Sequence, residues 1–517
     1  MSPQWPSHYP SLTAQYFLSL DPAVIGHNEP VQSLVHKSKS LHDIYTGVDV
    51  WGRGSHGGGG FGCYKAINHV DPINLGLSVA LFGQAWTWES EQDKPGWTWE
   101  NWWRYERTLW VGPEKEGEEV SVPDMPRREG EPECPHGNFE FLISFFPRTP
   151  PPNPADLSFY TSFGVGVGNA WFVEGTKVLE TEIGWTDIHK QSSLGNMVWP
   201  RPNLAWEGDK RTDKIPGVTP ALDLSDAWNG GNSLRLTVSG PGSDAEDAFF
   251  RCVWLPVQSL AVTPRLPYEA CIIYKTDSSA HIDLDLGLSV KLLSGNIQHT
   301  VLVNPITMDS NDLPGGWTTM SIQFELPIEH LGDVLAAIGL VIGFAAEDPT
   351  EAYEFSILLG QITVFPSSAQ GVSVQHPRLL WADFKSTASN AVDKFSGVLT
   401  WEVATSYIPL LNVIVTSPED PNPAWILDPS DKWFPTFQYF NIYIQPYTSE
   451  GTISAPESAI FIGTTGLDGH AKRHFVDKKC LPEEVTLAKR VRFLVQGVTD
   501  RGEVLKWVQC VFVDVEL

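Results

Sequence analysis

The run "DIYTGVDVWGRGSHGGGGFG" (43–62) carries Tyr45, Asp49 and Arg53 on and just beyond a strand-like segment, and six glycines follow between Gly52 and Gly60. A phenol, a carboxylate and a guanidinium beside a loop stripped of side chains suit two chemistries. The N–H groups of such a loop can converge on a phosphate, or the loop can let the backbone pass close to a bulky sugar. A phosphate cradle needs Gly-x-x-x-x-Gly-Lys-Ser/Thr, or Gly-x-Gly-x-x-Gly opening a helix. No Lys-Ser or Lys-Thr follows Gly57–Gly60, and Lys65 sits at the wrong offset, so the sugar reading is the stronger. A second apolar run, "LGLSVALFGQAW" (75–86), ends on Trp86, with Trp88 and Glu89 just after it. Asp49 and Glu89 stand at two strand ends, where geometry does not exclude a pair of carboxylates acting together. Arg53, next to Asp49 in the motif, argues instead for an ion pair that keeps Asp49 ionised as a supporting or substrate-contacting group.

Composition narrows the partners. The chain has 517 residues, a formal net charge of −27, and only 19% charged residues. Nucleic acid and anionic lipid both need a positive surface, so neither fits, whereas a neutral or cationic ligand does. No segment near the N-terminus joins basic residues to an apolar stretch, and the longest apolar run, Val334 to Ala346, is interrupted by Gly339 and Gly343. A buried strand and a cytoplasmic protein without membrane association are the expectations. The six cysteines lack the paired spacing of zinc sites, so reduced, mostly buried thiols and no metal are expected. Seven of the 21 tryptophans fall between Trp86 and Trp110. The spacing of Trp99, Trp102, Trp103, Leu109 and Trp110 is that of a helix's core face, which leaves Trp86 and Trp88 as candidates for flat sugar platforms.

These side chains need elements to hold them. "IYTGVDVWG" (44–52) reads as a strand, "GCYKAINHV" (62–70) as a short helix, 75–86 as a second buried strand and "WTWENWWRYERTLW" (97–110) as a helix. "NFEFLISFF" (138–146) follows as strand or helix and "FYTSFGVGVG" (159–168) as a strand. Apolar strands alternating with helices predict a parallel sheet. Beyond about residue 170 the apolar period becomes two, in "LRLTV" (234–238), "IDLDLGLSVKL" (282–292) and "MSIQFEL" (320–326), which predicts a β-sandwich. After a linker at 366–377, Trp401, "YFNIYIQP" (439–446), "AIFIGTT" (459–465) and "RFLVQGVTDRG" (492–502) predict a second, fibronectin-like sandwich.

The stretch from Tyr45 to Gly54, then Phe61, then Ser78–Phe82 running on to Trp86-Thr87-Trp88-Glu89, resembles glycoside hydrolase family 85, the cytosolic-type endo-β-N-acetylglucosaminidases. "FYTSFGVGVG" resembles that family's closing barrel strand, and "LSDAWNGGNSLRL" (224–236) one of its sandwich segments. One departure is Gly83-Gln84-Ala85, where many members carry a Pro-Gly turn. The resemblance implies a (β/α)₈ TIM-type barrel followed by β-sandwich domains, and cleavage between the two core N-acetylglucosamines of N-linked glycans. The implied mechanism is substrate-assisted. The 2-acetamido oxygen attacks the anomeric carbon to give an oxazolinium, an Asn orients the amide, and a Glu is general acid–base. No metal or cofactor is implied.

Carried onto this chain, the resemblance makes Tyr45, Asp49, Arg53, Trp86 and Glu89 substrate-binding candidates, with Tyr45 facing the sugar and Trp86 serving as platform. The family's Asn and Glu stand on a strand before the Tyr-x-Gly-x-Asp-Val motif. Here Asn28-Glu29 precedes Pro30 in a polar segment, so neither catalytic role is assigned to them. The chain is thus expected to begin in mid-barrel with roughly four of eight strands. The expected organisation is multidomain α/β plus all-β: an incomplete barrel at 1–170, a carbohydrate-binding-like sandwich at 171–370 and a fibronectin-like sandwich at 371–517. The expected partners are N-linked glycans or glycoproteins, with impaired hydrolysis and self-association through open barrel edges. The alternatives are a non-catalytic glycan-binding protein and an inert fragment.

Overall fold

The computed structural model describes residues 41 and 44–516 apart from 54, 84, 115–116, 123–134, 147–149, 199–202, 209–210, 212–213, 278–280, 294–300, 307–312, 329–331, 368–376, 388–394, 405–411, 415–423, 427–434 and 467–471. Asn28, Glu29 and most of the expected linker lie outside the described residues. The chain divides into two compact units, Met1–Thr149 and Pro150–Leu517.

In the first unit, strand β1 (Tyr45–Asp49) turns Thr46 and Val48 inward and leaves Tyr45 and Gly47 exposed, the two-residue period of a strand with one covered face. Strand β2 (Ser78–Phe82) lies parallel to it, from Tyr45 opposite Ser78 to Asp49 opposite Phe82. A parallel pair needs a crossover. Helix α1 (Cys63–Val70) supplies it, burying Cys63, Ala66, Ile67 and Val70 at the i, i+3, i+4, i+7 spacing of one helical face. A short helix α2 (Trp86–Glu89) follows β2, and α3 (Trp99–Val111) follows that. Thr98 caps α3, its hydroxyl accepting the Asn101 N–H at 3.2 Å. Val48, Val50, Cys63, Ala66, Ile67, Leu109, Leu142 and Phe145 share one core.

Segment 138–146, expected as strand or helix, and segment 159–168, expected as a strand, do not join this sheet. Segment 138–146 enters the core through a 3₁₀ turn, Leu142–Phe145. Segment 159–168 is broken in two at Phe163, whose φ of 57 no regular strand accommodates, and Gly166, with φ 79, marks a register shift inside the second part. Its first part, Phe159–Thr161, pairs antiparallel with Tyr353–Pro366, and its second part opens the hairpin Val165–Val173/Thr176–Gln191. Both belong to the second unit. Among the described residues the parallel sheet therefore has two strands, not four.

The second unit is almost wholly β. One sheet runs in the order Leu302–Ile306, Thr318–Glu325, Tyr268–Asp277, Tyr353–Pro366, Ser233–Gly240, Gly217–Asp223, with Phe159–Thr161 added alongside Tyr353–Pro366. A second runs Ile282–Leu292, Val334–Ala346, Phe250–Val262, Ala205–Trp206. Leu234, Leu236, Ile272, Phe324, Ile357 and Leu359 from the first meet Val253, Leu255, Val290, Ile338, Leu340 and Phe344 from the second in one core. The period-two segments of the sequence are the strands that build these facing layers, and the long apolar run is the strand Val334–Ala346. Toward the C-terminus the strands Arg378–Ser386, Gly397–Ala404 and Arg473–Val476 share a core with the sheet of Ile460–Thr464, Phe437–Pro446, Arg490–Thr499 and Val511–Glu516. The hairpin at 165–191 lays Trp171 and Val173 against Tyr439, Tyr443, Phe461, Leu494 and Val498 of that last sheet. Cys63, Cys252, Cys271, Cys480 and Cys510 are free thiols. No helix among the described residues is long and apolar enough to cross a membrane.

Gly339 sits at a shift of register between Val334–Ala346 and Phe250–Val262, where a Cβ would fall 2.2 Å from the Leu255 carbonyl oxygen and 2.6 Å from the Trp254 ring. Gly339→Ala should lower the unfolding free energy of this unit by about 1–3 kcal/mol, the usual size of an overpacking strain. A urea titration measures it.

Candidate functional site

The glycine loop is built for closure. Gly52 donates its N–H to the Asp49 carbonyl at 3.0 Å and Gly60 to that of Val50 at 2.6 Å. Gly52, Gly57, Gly58, Gly59 and Gly60 all have positive φ, between 50 and 83, the region that only glycine enters freely. A Cβ on Gly59 would stand 2.3 Å from the Val50 carbonyl oxygen, and one on Gly52 would stand 2.0 Å from that of Gly58. On Gly60 it would meet the Trp86 ring at 2.5 Å. The room that the glycines leave is filled by the loop's own backbone and by Trp86, which corrects the reading of an open sugar-binding loop.

Asp49 organises the C-terminal end of β1. Its N–H donates to Ser55 Oγ at 2.8 Å, its Oδ1 accepts the Trp51 N–H at 3.0 Å, and its Oδ2 accepts Arg53 Nε at 2.9 Å. Arg53 lies 5.4 Å from the centre of the Phe82 ring. Its hydrogen bond to Asp49, then the charge of Asp49, and more weakly the charge of Glu89 hold the Arg53 guanidinium more firmly protonated than usual. Asp49, Arg53 and the exposed Glu89 thus share one electrostatic neighbourhood, and the expected ion pair is present. Tyr45 is placed otherwise. It opens β1 rather than closing it, 68% exposed, on the same face as Asp49 but four residues away, about 13 Å along a strand.

Trp86 is half-buried, with its ring 5.0 Å from that of Tyr105 and edge-on to Phe61 at 5.6 Å. Trp88 packs among Trp97, Trp99 and Trp102 at 4.7–6.2 Å, which assigns it to packing. One carboxylate here had no sequence signal. Glu106 of α3 accepts the Thr87 hydroxyl and, at 2.7 Å, Trp110 Nε1. Burial pushes its carboxyl above the usual range, and the two donors oppose that. It ties α2, and so Trp86, to α3.

Two further clusters of polar and aromatic side chains are present among the described residues. His56, His69 and His136 bring one ring nitrogen each to within 4.8 Å of one another. Burial pushes His69 down, and burial with the neighbouring His69, His56 and Lys65 pushes His136 down to about 4. In the second unit a cavity of about 120 Å³ is lined by Tyr160, Trp171, Trp185, Lys190 and Tyr439, among others. Lys190 is 6% exposed, lies 3.9 Å from the centre of the Tyr439 ring, and donates to Thr464 Oγ1 at 3.0 Å and to the Thr465 carbonyl. Burial pulls its amine down to about 7. Neither cluster was legible, because its members are scattered along the chain with no shared spacing.

Comparison with known proteins reaches across most of the chain, and the family match lies at its N-terminal side. Residues 5–171 match the model of a glycosidase family. That family is glycosyl hydrolase family 85, so the resemblance read from Tyr45–Gly54 and the segment around Trp86 holds. The chain is 22% identical over 501 residues to cytosolic endo-beta-N-acetylglucosaminidase 1 of Arabidopsis thaliana, across 92% of this chain and 60% of that protein. It is 23% identical over 359 residues to the cytosolic endo-beta-N-acetylglucosaminidase of Gallus gallus, across 64% of this chain and 40% of that one. The chain therefore matches 60% or less of the length of these relatives. A similar solved structure is the glycoside hydrolase domain of Endo-D from Streptococcus pneumoniae R6, with a TM-score of 0.47 and 16% identity, covering 92% of this chain and 58% of that one.

Gly60→Ala should destabilise the first unit by about 1–3 kcal/mol through left-handed strain and collision with Trp86, measured by hydrogen exchange of the α1 amides. Lys190 yields a pH test. Its folded value of about 7 lies below its ordinary 10.5, so the unfolded chain binds the extra proton between those limits. The Lys190 penalty is complete below pH 7 and is relieved as pH rises toward 10.5, by about 1.4 kcal/mol per pH unit. The stability of Lys190→Met minus that of the unmodified chain should fall with that slope from pH 7 to 10 in parallel urea titrations.

Proposed function

We propose that this chain recognises the core of N-linked glycans at the C-terminal end of the β1–β2 pair, in the service of endo-β-N-acetylglucosaminidase chemistry in the cytoplasm. The observation that carries the proposal is the coincidence of the family match with the polar end of the parallel pair, where Asp49, Arg53 and Glu89 gather beside Trp86. The Asp49–Arg53 pair presents hydrogen-bonding groups held in place by Ser55 and the Trp51 N–H, which suits sugar hydroxyls. Phe82, 64% exposed, offers apolar surface beside that pair, and pyranose C–H faces are apolar too. The barrel architecture and the substrate-assisted route through an oxazolinium are part of this proposal, whereas Tyr45, at the opposite end of β1, is left out of the contacts at that end. Trp86 takes a different part from the expected platform: half-buried under Gly60, it holds the loop that positions Asp49 and Arg53.

A second reading is binding without cleavage at the same end of β1, favoured by the ion pair with Arg53 that engages the Asp49 carboxylate.

Calorimetry of the full chain with a high-mannose glycopeptide tests the proposal, with mass spectrometry following whether one N-acetylglucosamine remains on the peptide. Binding should weaken roughly 5- to 30-fold in Phe82→Ala, as expected for the loss of about 1–2 kcal/mol of apolar contact beside Asp49 and Arg53. Phe82 is 64% exposed, so its removal leaves the fold intact. Product with one residual sugar supports the hydrolase, binding without product supports the second reading, and absence of binding heat overturns both.

A further inference from the structure

We propose that His56, His69 and His136 form a three-nitrogen site for a divalent transition-metal ion of the zinc class, and that the ion pins the glycine loop to α1. The three ring centroids are mutually 4.8 Å apart, a near-equilateral arrangement with the planes inclined by 59–83°. The ring nitrogens lie within 4.8 Å of one another, the nearest pair, His56 Nε2 and His136 Nε2, at 2.6 Å. An imidazole–zinc bond of about 2.0–2.1 Å in tetrahedral geometry requires nitrogens about 3.3–3.4 Å apart. That value falls between the observed extremes, so small ring rotations reach it.

The three rings come from separate elements, each fixed independently. Ser55 beside His56 accepts the Asp49 N–H, and Gly57 on its other side is packed so tightly that a Cβ would stand 2.3 Å from the Gly62 carbonyl oxygen. His69 rides in the last turn of α1. The Gly137 carbonyl after His136 accepts the Tyr64 hydroxyl at 3.2 Å, and Phe139 packs edge-on to Phe61 and Tyr64. A hydrogen bond between two imidazoles uses one donor and one acceptor, whereas an ion at the centre would use one lone pair from all three. An all-nitrogen set selects zinc, cobalt, nickel or copper over magnesium or calcium. Three protein ligands leave the fourth position to water.

The test uses the untagged full chain, stripped with chelator and then dialysed against cobalt or zinc. The expected results are a visible cobalt absorption of tetrahedral strength, one zinc retained per chain by elemental analysis, and a rise in the thermal midpoint with zinc but not with magnesium. His69→Gln and His136→Gln should each weaken zinc binding at least tenfold, while His189→Gln, on an exposed strand position in the other unit, should not. The cobalt spectrum of the unmodified chain reads the site without any substitution. Absence of that absorption, or zinc retained equally by the His69 and His189 variants, overturns the proposal.

Discussion

The Val50 carbonyl oxygen governs the first unit. It accepts the Gly60 N–H at 2.6 Å, and the space beside it is so small that Gly59 cannot carry a Cβ. This closure folds the loop 52–60 back over the end of β1 and seats Gly60 on the Trp86 ring. It also sets the height at which Ser55 meets the Asp49 N–H and at which His56 faces α1. Backbone approach of this kind is stiff, since a main-chain carbonyl cannot swing aside as a side chain does. The orientation of Asp49 and Arg53 is inherited from it.

The second unit solves a different problem, that of polar groups among aromatic ones. Lys190 is buried against Tyr439 and Trp171, and its ammonium is satisfied by Thr464 and Thr465 across the chain from the hairpin that carries it. Asn229 lies within 3.3–3.4 Å of Gln361 Oε1 and the Gly502 carbonyl, and Gln361 donates to Arg501. Buried polar groups that reach between distant segments fix one register among those that apolar contact alone would tolerate. The layered cores supply area, and these bonds supply uniqueness.

Much of this was legible from local pattern. The helices α1 and α3, the strand β1 and the strand Val334–Ala346 followed from local pattern, because each buries one face or both, whereas β2, expected to be buried, keeps Ala80 and Phe82 exposed. The Asp49–Arg53 pair was legible because its partners are four residues apart. The break at Phe163 was not. A buried phenylalanine at positive φ is dictated by its surroundings, among them the Thr161 hydroxyl that accepts its N–H and Asn232 Nδ2 donating to its carbonyl, and no local propensity announces it. The purpose of the glycines was misjudged for a related reason: composition reveals that side chains are missing, but not whether ligand or backbone fills the gap. His56 and His136 are 80 residues apart and meet only through the fold.

The hairpin at 165–191 has a consequence for modularity. By covering Tyr439, Tyr443 and Phe461 with Trp171 and Val173, it makes the C-terminal layers rely on residues that precede the whole middle of the unit in sequence. A segment beginning near residue 371 would carry its internal core but expose that aromatic face to water and strand the acceptors of Lys190. The C-terminal layers resemble a detachable module in outline, yet their surface is completed by an element nearly two hundred residues upstream, so recombination or excision at that boundary yields a piece with an adhesive face rather than a free-standing domain.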